Sequence, residues 1–268
     1  MEESIMTIMR LCLYGLFATF LIVLPANAAL DADNIMGIWL FNKGNGNTAE
    51  DSSGNGNDGK INGGAKWVDG QFGKALEFDG TDDWVEVQHS DTVAFKKGVS
   101  FSITLHYKGS SVGGSLVGKG YEDTTQAKPW YLLWNGGGDQ KVSFYLRTSA
   151  DLNSRIDSTV NVSDEKWHFI AAIADADAKK ISLWIDGKKD VEGVLSTDEG
   201  YGTSESVFHI ARHFDRYTKG IIDDVGLFNV ALSENEMNTV MNEGMEAAAS
   251  VDAVDKLTTT WGDIKQKW

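Results

Sequence analysis

One cysteine and two prolines stand among 268 residues, and each scarcity removes an option. Cys12 lies in an apolar run at the amino end, so the chain beyond it has neither thiol nor disulfide. Stability must then come from burying a core, for which about 240 residues suffice as one large β domain. Basic residues are also short, 24 Lys and Arg against 39 Asp and Glu, a formal charge of −15. Nucleic acid and anionic membrane both select clustered cations, so neither is expected as a partner. The single long apolar stretch runs up to Ala26-Asn27-Ala28, the small-x-small pattern of a signal-peptidase site. Residues 1–28 therefore read as a secretory signal whose removal takes away Glu2, Glu3 and Arg10 and leaves −14. The expected product is exported (extracellular, periplasmic or cell-surface), with no membrane insertion after signal removal.

From Ile35 onward the apolar period is two. "SFSITLHYK" puts Phe101, Ile103, Leu105 and Tyr107 on one face, and "VSFYLR" does the same with Val142, Phe144 and Leu146. In "KWHFIAAIAD" the expected inward set is Trp167, Phe169, Ala171 and Ile173, and Ile181, Leu183 and Ile185 return from the following turn. Asp186-Gly187 marks a type I′ hairpin. Many short strands joined by glycine-rich turns, 29 glycines in all, indicate an all-β fold, a two-sheet antiparallel jelly-roll sandwich. One short C-terminal helix is predicted: Ser233 with Glu236 forms a capping box, Met237, Val240 and Met241 an apolar stripe, and Gly244 a stop. The organisation reads as residues 1–28 signal, 29–243 sandwich domain and 244–268 tail.

The glycine-rich loop "AEDSSGNGNDG" spaces Asp51, Ser53, Asn55 and Gly56 like the start of an EF-hand loop. Its twelfth position is Asn62 instead of glutamate and its flanks are β-like, so the EF-hand is rejected in favour of a β-turn loop. No Gly-x-Ser-x-Gly nucleophile motif occurs, and the five histidines show no metal-ligand spacing. His168 reads as structural, with no carboxylate fixed beside it by sequence. Asp223 and Asp224, being adjacent on a strand, point to opposite faces unless a bulge intervenes.

The phrases "GIWLFNKGNGNTAEDSSGNGNDG", "WVDGQFGKALEFDGTDDWVEV", "SFSITLHYKG", "KWHFIAAIAD", "ISLWIDGK" and "GIIDDVGLFNVALSENEM" follow one another as in the LamG-like jelly-roll family. The chain resembles that family, part of the concanavalin A-like lectin and glucanase superfamily, over roughly residues 35–243. The resemblance implies two antiparallel sheets, one concave, with the first and last strands adjacent. It also implies that Asn42, Asp51 and Asp223 approach one edge, where their oxygens would suit a structural calcium. Glycosidases of the superfamily carry Glu-x-Asp-x-(x)-Glu on one strand, and no such run is present.

Aromatic rings near Asp and Asn are a common means of holding sugars. Tyr121, Trp130 and Tyr131 in "YEDTTQAKPWYLLWNGGG" are ligand-binding candidates, joined by His106, which stands where related sequences often carry tryptophan. Trp130, Leu132 and Trp134 share one face opposite Tyr131 and Leu133, and the two tryptophans read as core. The function expected is an exported, non-catalytic recognition module for carbohydrate or a cell-surface glycoprotein. The alternatives are a structural surface or matrix protein and a diverged glycoside hydrolase or lyase.

Overall fold

The computed structural model describes residues 30–110, 112–120, 130–135, 141–148, 152–196, 200–203 and 205–249. Short strands open the chain: β1 (Ile35–Trp39), β2 (Thr48–Ala49), β3 (Gly59–Asn62), β4 (Lys66–Asp69), β5 (Lys74–Asp79) and β6 (Trp84–Val87). Then come β7 (Phe101–Lys108), β8 (Ser115–Lys119), β9 (Trp130–Trp134), β10 (Ser143–Arg147), β11 (Asn153–Asp157) and β12 (Trp167–Asp175). The rest are β13 (Lys180–Ile185), β14 (Lys188–Val194), β15 (Phe208–Ile210), β16 (Arg212–His213), β17 (Arg216–Tyr217) and β18 (Lys219–Phe228), followed by helix α1 (Glu234–Glu243).

Two antiparallel sheets result, the jelly-roll sandwich anticipated from the alternation. The first runs β14-β13-β12-β7-β18-β5-β4, and the second β11-β10-β9-β8-β15-β6-β3-β2. Along one edge β18 pairs with β5 through residues 219–222 and with β1 through residues 225–228. The first and last strands are therefore neighbours.

Between the sheets lies the main core. Trp39 is fully buried there, stacked on Phe208 at 5.2 Å, and its indole N–H donates to the Asn57 carbonyl at 3.0 Å. Phe95 stacks on Phe101 at 3.8 Å, beneath Tyr131, whose hydroxyl donates to the Val93 carbonyl at 2.9 Å. Truncating rings of this kind to alanine costs about 3–5 kcal/mol.

A second apolar cluster covers the outer face of the first sheet, where Phe169, Ala171, Ile173 and Phe228 meet Met237, Val240, Met245 and Ala248. This corrects the expected facing of β12: Ile170, Ala172 and Ala174 line the main core, and Phe169, Ala171 and Ile173 point outward under α1. Both faces of β12 are buried, so its continuous apolar run carries no alternation from which to choose. The capping box forms as predicted, Ser233 Oγ accepting from Glu236 N while the Glu236 carboxylate accepts from Ser233 N. Packing continues past Gly244, since Met245 and Ala248 are fully buried. Asp186 and Gly187 both adopt positive φ (52° and 75°), as a type I′ turn requires. No described helix is long and apolar enough to cross a membrane.

Candidate functional site

The predicted metal set does not converge. Asp51 organises its own loop: Oδ1 accepts from the amides of Ile38 (3.0 Å) and Ser53 (2.9 Å), and Oδ2 from that of Asn57 (2.9 Å). Asn42 and Asp223 instead grip the turn at residues 70–74. Asn42 Oδ1 accepts from Lys74 N at 3.0 Å, and Asp223 Oδ2 accepts from Phe72 N at 2.9 Å. Gly73, at φ +61°, must be glycine, because a Cβ there would collide with the Asn42 side-chain oxygen. These two anchors share no contact with those of Asp51, whose acceptor capacity already serves three amides. Asp79, Asp82 and Asp83 do bring carboxylates within 4.8 Å of one another, but Asp83 accepts from the amides of Gly64 and Asp79, which makes it the clamp of that turn.

Asp223 and Asp224 are nonetheless brought together. The register slips between Asp223 and Gly226, Asp224 takes φ 48°, and both carboxylates are buried, with Asp224 Oδ2 accepting from Met245 N at 2.8 Å. This is the bulge without which adjacent residues diverge. Burial pushes Asp223 up to about 7 and Asp224 up to about 6, the neighbouring Asp224 charge adding to the rise on Asp223. Both are tied to backbone amides beneath the end of α1, so the pair fastens structure.

The ligand candidates are redistributed as well. Tyr121 lies outside the described residues. Tyr131 is a correction: it is fully buried between the sheets, with Leu133 beside it in the core. His106 is a second correction, 2% exposed, packed on Phe72 (5.3 Å) and Phe169 (5.1 Å), and driven by burial down to about 4. Neither offers a surface to a sugar. Trp130 sits opposite Arg147 in the β9–β10 register. His168, read as lacking a fixed carboxylate, is clamped by two: Nδ1 lies 2.8 Å from Asp186 Oδ2 and Nε2 3.0 Å from Asp164 Oδ1. The Lys166 ammonium and then His168 hold Asp164 well below the usual carboxylate range. Asp186 also accepts from Phe169 N, so this ring staples the start of β12 to the β13–β14 turn.

What assembles an exposed chemical surface is the outer face of the second sheet. Leu132, Tyr145 and Arg155 stand in one cross-strand row, with Trp134 beside Ser143 and Asp157 in the next. The β16–β17 hairpin folds over this face. Thr218 donates its hydroxyl to the Ser115 carbonyl at 2.7 Å, and His213 Nε2 lies 2.7 Å from the Gly120 carbonyl. Gly118 makes the approach possible, since a Cβ there would stand 2.9 Å from the His213 ring. The hairpin thereby lays Arg212 over Trp84 (4.9 Å) and Tyr217 (5.6 Å), and Arg216 over Trp134 (5.3 Å). Arg155 also approaches Trp134, at 5.7 Å, and Tyr145 at 6.0 Å. Trp84 and Trp134 are half-buried, and each has a buried indole N–H with no hydrogen-bond acceptor among the described residues.

Residues 79–238, more than half of the 268, match the family model described as concanavalin A-like lectin/glucanases superfamily. The chain belongs to this superfamily. Comparison with curated protein sequences gives no match. Among solved structures, the binding domain of Paraclostridial mosquitocidal protein 1 is similar at TM-score 0.62 and 16% identity, over 79% of this chain and 52% of that one. Domain 4 of AbnA, a GH43 extracellular arabinanase from Geobacillus stearothermophilus, solved with arabinotriose, gives TM-score 0.60 and 18% identity over 78% and 98%. The botulinum neurotoxin serotype G binding domain gives 0.61 and 14% over 78% and 50%. The chain thus spans about half the length of the two toxin binding domains and nearly all of the arabinanase domain. At these identities the likeness is one of fold, and the concanavalin A-like sandwich is what all four share.

Proposed function

We propose that this chain is a non-catalytic carbohydrate-recognition module, acting after export, whose contact surface is the outer face of the second sheet around Trp84 and Trp134. The observation that carries the reading is the set of partly exposed rings, Trp84, Trp134, Tyr145 and Tyr217, gathered on one sheet face under the β16–β17 hairpin. Rings offer flat apolar area to the CH faces of a sugar, and the neighbouring Arg and Asp side chains supply hydrogen bonds for its hydroxyls. A structural neighbour of nearly the same extent, the arabinanase domain, was solved with arabinotriose, which supports the same class of ligand here. Glycosidase chemistry asks for two carboxylates about 5 Å or more apart across a groove, and the buried Asp223 and Asp224 are instead engaged with backbone amides under α1.

Affinity electrophoresis and glycan-array binding of the chain without residues 1–28 test the reading. Binding that Trp134→Ala and Trp84→Ala weaken at least tenfold, with unchanged far-ultraviolet circular dichroism, is the expected result. Absence of binding across neutral and acidic glycans would favour the structural matrix role.

A further inference from the structure

Arginine is rare in this chain: five occur, at positions 10, 147, 155, 212 and 216. Apart from Arg10 in the amino-terminal segment, all of them belong to the outer face of the second sheet. Arg147 and Arg155 stand on β10 and β11 at positions sharing the face of Tyr145, and Arg212 and Arg216 come from the hairpin above it. The rest of the positive charge is lysine, in a protein of net charge −15, so this grouping is not a by-product of a basic composition. Arginine differs from lysine in its planar fork, which meets a carboxylate through two parallel hydrogen bonds and stacks on aromatic rings.

The charge balance at Trp134 is uneven. Two guanidinium groups, Arg155 and Arg216, lie over the same indole ring. Arg155 is neutralised by Asp157 at 2.9 Å and also donates to Ser143. Arg216 is exposed, and among the described residues its side chain forms no ion pair or hydrogen bond and meets the Trp134 ring. A cation held over an aromatic platform, with its fork open to solvent, presents a bidentate donor next to a surface suited to a sugar ring. By contrast, the depression of about 510 Å³ beside the first sheet sets Lys66, Lys108 and Lys219 against Glu77, Asp79, Asp83 and Glu165, so acidic groups outnumber its lysines.

We infer that the ligand selected by this face is an acidic sugar of the uronate or sialate type, its ring on Trp134 and its carboxylate on Arg216. The inference rests on the carbohydrate-recognition reading and adds the charge of the ligand to it. The chain's overall negative charge disfavours a polyanion in general, so the gathered arginines make this face the favoured place for such a ligand to dock.

The test uses two matched pairs: oligogalacturonate against its methyl ester, and sialyllactose against lactose. Within at least one pair the acid should bind about tenfold or more tightly, the scale of a charge-assisted contact. That preference should fall as salt is raised. Arg216→Gln should abolish the preference, bringing the affinity for the acid down to that for its neutral partner; the residue is exposed, so the variant should fold and melt like the parent. Equal binding of acid and neutral ligand, lost in Trp134→Ala, would overturn this inference and leave the sugar-binding reading standing. A preference that survives Arg216→Gln would also overturn it, and no binding in either pair would remove both readings.

Discussion

Replacing Asp223 by asparagine should change how stability depends on pH, and the size of the effect follows from its surroundings. Asp223 is fully buried, accepts from the amides of Phe72 and Asp224, and sits at about 7 because burial opposes its charge. An unfolded aspartate titrates near 3.9. Between those values the folded state holds the proton more tightly, so the group is most favourable at low pH, and stability falls as pH rises from about 4 to about 7. From pH 5 to pH 8 the wild type loses about two units of this linkage, or about 3 kcal/mol from Asp223 alone. Asparagine keeps one acceptor oxygen and the shape, and has no titration. It should therefore be destabilising at pH 5, where a hydrogen bond is weakened, and should recover by about 3 kcal/mol relative to wild type at pH 8. Urea denaturation of both proteins at pH 5, 6.5 and 8 measures the difference directly. His106, held near 4, is present in both proteins and cancels in the comparison. A wild-type-minus-variant difference that stays constant over this range would refute the assignment of a raised carboxyl to Asp223.

Other expectations follow from single contacts. Tyr131→Phe removes the hydroxyl that donates to the Val93 carbonyl inside the core, and should cost about 1 kcal/mol in denaturant unfolding while leaving ligand affinity unchanged. Ser233→Ala removes the Oγ that accepts from the Glu236 amide, leaving the backbone N–H of residue 233 to its bond with the Glu236 carboxylate, and should cost about 1 kcal/mol, read in the same way. Gly118→Ala places a methyl group against His213 and Leu132, so it should lift the β16–β17 hairpin and weaken sugar binding more than it lowers the melting temperature. His168→Ala frees Asp164 and Asp186 from their shared partner, which should speed amide exchange at Trp167 and Phe169.

The fold was legible because alternation is a direct imprint of a half-buried strand. Phe101, Ile103, Leu105 and Tyr107 lie in the main core as their spacing demands, and the family placement follows from phrases that are largely turn and strand chemistry. Where alternation fails, so does the inference. β12 is apolar on both faces, and nothing in "WHFIAAIAD" says which side α1 will cover. The same limit governs β9: "WYLLW" is apolar throughout, so its spacing cannot say that Tyr131 is buried while Trp134 carries two arginines. The calcium set rested on strand adjacency alone; Asn42 and Asp223 do meet a common turn, but Asp51 points its oxygens at its own loop. The arginine face left one visible trace in the sequence, the rarity of the residue. Its convergence depends on a hairpin that folds back over the second sheet, a long-range fact that local spacing does not encode.

The second apolar cluster also fixes the orientation of the molecule. Leu30, where the described chain begins, and Ala248, next to its last residue, are both buried in that cluster behind the first sheet. Both ends of the described segment thus lie behind the first sheet, on the side of the sandwich opposite the arginine-lined face.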